Sequence, residues 1–267
     1  MVFRAASGRK FYRDCRRGTG YHAGMTSNLE GLAQAPPDIE PAERRTLVVA
    51  AHPDDADFGA AGTVALWTQQ GWEFSYLVCT NGAKGSDDET MTPPALIKMR
   101  REEQRAAAKI LGVKEVFFLD HEDGELTPNR HLLGDIVRTI RQVRPSAVFT
   151  HDPEAIIIND SFVNHSDHRV TGTMAVDAVY PAARDRLNFP EHIAEGLQPY
   201  KVSQIYIWGS ERANYQVDIT AVIQKKIDAL LAHDSQFEEE FVRRMLEIWK
   251  TPEGRYIESF RQVRLAF

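Results

Sequence analysis

Thr46-Leu47-Val48-Val49-Ala50-Ala51-His52-Pro53-Asp54-Asp55 joins an unbroken apolar run to an imidazole, a proline and two carboxylates. A short apolar run of this kind, ended by Pro, reads as a strand buried on both faces, and its polar continuation falls where the strand emerges into a loop. Gly59 to Gln70 follows, with apolar residues at Ala60, Val64, Ala65, Leu66 and Trp67, and Gly71 is placed to end a helix. The unit is therefore strand, loop, helix.

The same alternation continues outward from that unit. Phe74 to Cys79 reads as a second buried strand, followed by the polar loop Thr80 to Ser86. Thr92-Pro93 starts a helix that runs with apolar residues at helical spacing to Gly112. A third strand is expected at Glu115 to Leu119, a helix carrying Leu132, Leu133, Ile136, Val137, Ile140 and Val143, and a fourth strand at Ala147 to Thr150. Beyond Tyr180 we expect a loop, a strand at Val202 to Trp208, helices at Ala221 to Ala232 and Glu238 to Trp249, and an irregular end. Strands alternating with helices predict an α/β fold, a Rossmann-like and mainly parallel sheet flanked by helices. Ligands bind such sheets at the carboxyl ends of the strands, which would gather the loops bearing His52, Asn81, Asp123 and His165.

Composition narrows the classes further. With 43% hydrophobic and 26% charged residues over 267 positions, the chain can bury one substantial core. The net charge of -6 gives no support to a nucleic-acid partner. No apolar stretch approaches the length that spans a bilayer, so no membrane partner is expected. Two cysteines, Cys15 and Cys79, fall in unlike surroundings and give no reason to pair, which fits a cytoplasmic protein. Residues 1–44 are expected to form a disordered N-terminal tail ahead of a single domain at 45–267. Its first 24 residues set six basic side chains against the single acid Asp14, and Met25 is a candidate translation start.

A second polar cluster, His165-Ser166-Asp167-His168, answers the first. His52, Asp55 and His168 supply the three protein ligands of an open catalytic site, a nitrogen and oxygen set that suits Zn2+ and also accepts Fe2+, cobalt or nickel. Asp54 is then the general base toward a metal-activated water, and His165 the group that stabilises the oxyanion and serves as acid to the leaving amine, with Asp167 or another carboxylate fixing its tautomer. Taken singly, each of these residues is more often a helix cap or a solvated loop residue. Two clusters converging on one end of a parallel sheet reverse that reading, because gathered carboxylates and imidazoles need a counter-charge. Asp57, His121, Glu122, His151 and Asp152 are weaker candidates with ready roles as turn or capping residues. Phe117-Phe118 and the Trp208 strand read as core.

The motifs Ala51-His52-Pro53-Asp54-Asp55, Gly62-Thr63, Thr80-Asn81-Gly82 with Gly85, Arg100 through Glu103, Leu111-Gly112-Val113, Asp123-Gly124 and His165-Ser166-Asp167-His168 resemble those of the LmbE-like or PIG-L deacetylases. The likeness covers most of Arg45 to Phe260. It implies the same zinc ligands, His52, Asp55 and His168, the same base, Asp54, and the same electrostatic partner, His165. It further implies that Arg100 and Asp123 contact substrate hydroxyls. Ala56 and Ala61 depart from the family pattern, as does the apolar loop at Ile156-Ile157-Ile158, which is placed to shape an acyl or aglycone pocket.

The resemblance implies hydrolysis of an acetyl or related amide on an N-acetylglucosamine-type sugar or its conjugate, a small-molecule substrate, by a protein of a family that often assembles as homo-oligomers. Two alternatives remain open at this point. One is an amidase that cuts a larger thiol-sugar conjugate. The other is a non-enzymatic sugar- or nucleotide-binding module, for which Gly59-Ala60-Ala61-Gly62 offers slight support because it lacks the full dinucleotide glycine pattern.

Overall fold

The computed structural model describes residue 36, residues 39–158, residue 160 and residues 162–266. Most of the expected N-terminal tail, with Cys15 and Met25, lies outside the described residues. Of the tail's end, Ile39 is buried against the core, and the Arg44 guanidinium bonds back to the Ile39 and Gln70 carbonyls.

One seven-stranded sheet organises the chain. In chain order its strands are β1 (Arg45–Ala50), β2 (Glu73–Thr80), β3 (Glu115–His121), β4 (Ala147–His151), β7 (Gln204–Trp208), β8 (Tyr215–Asp218) and β9 (Ile257–Arg264). They lie side by side as β3-β2-β1-β4-β7-β9-β8. The five strands from β3 to β7 are parallel, while β9 runs antiparallel to both β7 and β8. A separate two-stranded hairpin pairs β5 (Ile157–Ile158) with β6 (Phe162–Val163).

Alternating residues of the central strand explain why both sheet faces are covered. Val48 and Ala50 point into a core shared with Trp67, Phe74, Phe149 and Tyr206. Leu47 and Val49 point into a second core with Ile136, Ile140, Met174 and Val179. Helices α1 (Asp55–Gln69), α2 (Pro93–Leu111) and α6 (Ile223–Leu231) pack together on the first face, with α7 (Glu239–Trp249) against α6. On the second face α3 (Arg130–Val143) and α4 (Ser166–Asp177) pack together. Among the described residues the remaining α-helix is the short α5 (Pro190–Ala194). No described helix is long and apolar enough to cross a membrane.

Two glycines in α1 are there for close packing. A Cβ on Gly59 would lie 2.5 Å from the Trp208 ring, and one on Gly62 would lie 2.5 Å from the Ile219 side chain. The Gly59-Ala60-Ala61-Gly62 segment is thus mid-helix, seated against the sheet and its flank, and does not form a phosphate-binding turn.

The structure corrects several expected elements. Helix α1 begins at Asp55, so the Asp-Asp pair straddles a helix start and does not lie in an open loop. His165 caps a helix of 12 residues, α4, in a stretch for which no element was expected. The irregular end is in fact β9, and β8 was not foreseen. In β9, polar Glu258, Arg261 and Gln262 interrupt the apolar period, and the buried Glu258 carboxylate is met by Lys226 at 2.6 Å and by the Gly62 and Thr63 amides. Phe117 and Phe118 are only half-buried because β3 is an edge strand. The guanidiniums of Arg101 and Arg105 cover the Phe118 ring.

Candidate active site

Strand order reverses between β1 and β4, since β2 and β3 follow on one side of β1 and β4 returns on the other. A crevice at such a switch point is where open α/β sheets bind ligands. His52 leaves the end of β1 and His151 ends β4. The polar clusters meet there.

His52 Nδ1 lies 3.1 Å from Asp55 Oδ2, His168 Nε2 lies 3.1 Å from Asp55 Oδ1, and the two imidazole nitrogens are 3.3 Å apart. Donors around a tetrahedral zinc with ~2.0–2.1 Å bonds stand about 3.3 Å apart, so the three groups fit one divalent cation. Their tautomers fit it as well. His52 Nε2 lies 3.2 Å from carboxylate oxygens of both Asp123 and Asp167, so it carries the proton and leaves Nδ1 with a lone pair. Asn164 donates its Nδ2 to the Ala155 carbonyl, which turns its Oδ1 toward His168 Nδ1 at 3.0 Å and leaves His168 Nε2 with a lone pair. Two lone pairs and a carboxylate crowded at these distances repel one another unless a cation sits among them.

The titration of these groups reflects the same crowding. Burial opposes protonation of His52, but Asp55, Asp123 and Asp167 outweigh it and raise the imidazole's pKa well above its ordinary value. Burial likewise opposes ionisation of Asp55, but the three imidazoles of His168, His151 and His52 hold its carboxyl well below the usual range. Asp123 and Asp167 are both lowered against burial, chiefly by their bonds to His52. A cation bound at His52 Nδ1 would displace the proton that Asp55 attracts there and leave the Nε2 proton to Asp123 and Asp167.

Asp54 occupies the turn just before α1 with φ 104°, a left-handed conformation that costs a non-glycine residue of order 1–3 kcal/mol. Its amide donates to Gln104 Oε1 at 2.8 Å, its carbonyl accepts from Asp57 and Phe58, and its carboxylate lies 3.0 Å from Arg100 Nη2. Burial raises the Asp54 pKa despite the Arg100 charge. Arg100 also donates to the Gly82 and Pro53 carbonyls, at 2.9 and 2.8 Å, and is itself buried. The expected substrate contacts, Arg100 and Asp123, are thus both engaged by protein groups, Arg100 with Asp54 and Asp123 with His52 and the Lys84 amide.

His165 Nδ1 accepts the Asp167 amide at 3.1 Å, capping α4. Its remaining nitrogen, Nε2, then bears the proton. The ring stands edge-on to His52 with centroids 4.7 Å apart, and burial, helped by the nearby His52 and His168, lowers its pKa to about 4. Asp167, one candidate for fixing the His165 tautomer through its carboxylate, turns that carboxylate to His52 and to the Gly124 and Leu126 amides. His165, at 23% side-chain exposure, and His168, at 20%, are the open side of the cluster, whereas His52 is nearly sealed at 3%.

Asn164 and His151 were outside the core set read from sequence. His151 stacks on His168 with centroids 4.2 Å apart, and its Nε2 accepts the Ala51 amide. Burial and the His168 charge lower its pKa to about 4. It backs His168, with Trp208 beyond it at 4.7 Å. Its position at the end of the strand beside β1 was the available signal. Asp57 is drawn away into α1, where it meets His233 Nε2 and Gln104 Nε2, each at 2.8 Å. His121 meets Asp135 at 3.0 Å, away from the cluster. The apolar Ile156 and Ile157 are exposed on the β5–β6 hairpin that precedes Asn164.

Residues 47–179 match the family model described as PIG-L, GlcNAc-PI de-N-acetylase. A diacetylchitobiose deacetylase of Thermococcus kodakarensis is 34% identical over 207 residues, which cover 78% of this chain and 74% of that protein. A probable N-acetyl-alpha-D-glucosaminyl L-malate deacetylase 2 of Bacillus anthracis is 27% identical, over 73% of this chain and 82% of the other. Among solved structures, the N,N'-diacetylchitobiose deacetylase from Pyrococcus horikoshii in complex with its inhibitor MPG superposes with a TM-score of 0.75 at 31% identity, covering 83% of this chain and 84% of that one.

Proposed function

This chain belongs to the PIG-L (LmbE-like) family, and from that membership and its site we propose that it is a divalent-metal hydrolase removing the N-acetyl group from an N-acetylglucosamine-type sugar or conjugate. The observation that carries the proposal is the convergence of His52 Nδ1, Asp55 and His168 Nε2, with the far nitrogen of each imidazole tied to a carboxylate or amide.

His52, Asp55 and His168 would hold the metal, and the mixed nitrogen and oxygen set favours zinc, with ferrous iron as an alternative. A divalent cation there supplies Lewis acidity toward the amide carbonyl and lowers the pKa of water. Asp54, outside the three-ligand group and held by Arg100, takes the proton from the attacking water. His165 presents its Nε2–H to the carbonyl oxygen as negative charge develops on it. His165 Nδ1 accepts the Asp167 amide and so carries no proton, which leaves the neutral ring none to spare. Asp54 therefore returns its proton to the amine nitrogen as the C–N bond breaks, and the products are acetate and a free amino sugar. Asp123 and Asp167 fix His52, and Asn164 fixes His168. The neighbouring Ile156 and Ile157 would wall an aglycone. A reduced Cys79 fits a cytoplasmic setting.

The test is amine and acetate release by zinc-reconstituted protein from N,N'-diacetylchitobiose, N-acetylglucosamine and N-acetylglucosaminyl conjugates, followed by mass spectrometry. Loss of one acetyl mass supports the reading. Cleavage that leaves the acetyl group on the sugar and splits a thiol conjugate elsewhere would replace it with the amidase reading, and a metal-loaded protein inert on the whole panel would overturn it.

A further inference from the structure

A second group of metal-ligating side chains lies outside the site already described. His121 Nε2, at the end of β3, is 3.0 Å from Asp135 Oδ2, and His131 Nδ1 is 3.5 Å from the same oxygen. The three donor atoms all lie within 4.8 Å of one another, and the two imidazole rings meet edge-on with centroids 5.2 Å apart. We propose that His121, His131 and Asp135 form an accessory divalent-cation site that pins the start of α3 to the end of β3.

The residue types and their placement argue for a borderline cation such as zinc or nickel. Two imidazoles and one carboxylate form an open, three-ligand set, with room for water at the remaining position. His131 and Asp135 are four apart on α3 and so share one face, while β3 brings His121 to that face from across the sheet edge. The distances of 3.0 and 3.5 Å bracket the separation of about 3.3 Å that tetrahedral zinc requires. The imidazole pair must close somewhat further, and His131, at 80% exposure, is free to swing. Exposure and the positive N-terminal end of α3 oppose the cation, so this site binds more weakly than the sealed one.

The site shares no ligand with His52, Asp55 and His168, yet it borders the segment that steadies them. The His121 carbonyl accepts the Asn81 amide at 2.9 Å, and Asn81 Oδ1 accepts the Asp123 amide at 3.3 Å. Asp123 in turn meets His52. A cation joining His121 to α3 closes the ends of the 122–129 loop, which carries Asp123, and so stiffens it.

Equilibrium dialysis of the full chain against zinc, read by elemental analysis, tests the proposal. Wild type is expected to hold about two zinc ions per chain, one tightly and one weakly, and His131→Ala and Asp135→Asn about one each. His168→Ala should keep the weak ion and lose the tight one. Excess zinc should raise the melting temperature of the one-zinc wild-type protein and leave that of His131→Ala unmoved. Equal zinc in wild type and both accessory-site variants overturns the proposal. A failure of the catalytic reading would look different, because wild type would then hold one weak ion that His131→Ala abolishes.

Discussion

The carboxylate of Asp54 and the guanidinium of Arg100 meet at 3.0 Å, both almost wholly buried, with Arg100 anchored in turn on the Gly82 and Pro53 carbonyls. The pair makes a prediction about pH. Burial raises the Asp54 pKa and Arg100 lowers it, so removing the arginine lifts it further. The base must be ionised to work, and the acid limb of the kcat/KM profile of Arg100→Ala should therefore move to higher pH. Arg100→Lys keeps a charge but loses the fork and should restore only part of the activity. An unmoved acid limb in Arg100→Ala would separate Asp54 from the base role.

Asp54→Asn should retain bound metal and lose about 10²–10⁴-fold in kcat, the usual contribution of a positioned base. Elemental analysis beside turnover checks both halves of this expectation, and normal turnover would remove Asp54 from the mechanism.

Asn164 meets His168 at Nδ1, the nitrogen opposite the one that faces Asp55. Asn164→Ala frees the imidazole to rotate or change tautomer, so metal affinity should fall about 10–100-fold while His168→Ala abolishes it. Competition with a chromophoric chelator measures both.

Lys226 and Glu258 form a buried ion pair, and Glu258 also accepts the Gly62 and Thr63 amides inside α1. Lys226→Met leaves that carboxylate without its counter-charge and should destabilise the fold by about 3–5 kcal/mol in urea unfolding. A loss under about 1 kcal/mol would mean that the helix amides alone satisfy Glu258.

Burial pushes the Cys79 thiol up to about 12 from an ordinary value of 9.0. The unfolded chain thus loses this proton first as pH rises. The stabilisation is complete below about pH 9 and disappears progressively toward pH 12. Peptide mapping after iodoacetamide at pH 8 should find Cys79 unmodified in the folded protein and alkylated in urea.

Much of this protein was legible in its sequence because the parallel sheet is buried on both faces. Strands such as Leu47 to Ala50 must then be apolar throughout, and amphipathic helices must alternate with them. The same reading failed at β8 and β9, an antiparallel flank whose half-buried strands keep no clean period. It also failed at the start of α1, because the left-handed turn at Asp54 that launches the helix is held by Gln104 and Arg100, some 50 residues away in sequence. The sequence by itself determined the α/β class and the two polar clusters, since strand ends expose polar residues wherever an apolar run stops. Only the tertiary structure decided how those clusters divide their work. It turned Asp167 from His165 to His52, put Asn164 behind His168, tied Arg100 to Asp54 and drew Asp57 away to His233. Those choices depend on distances between residues far apart in the chain, which local pattern cannot encode.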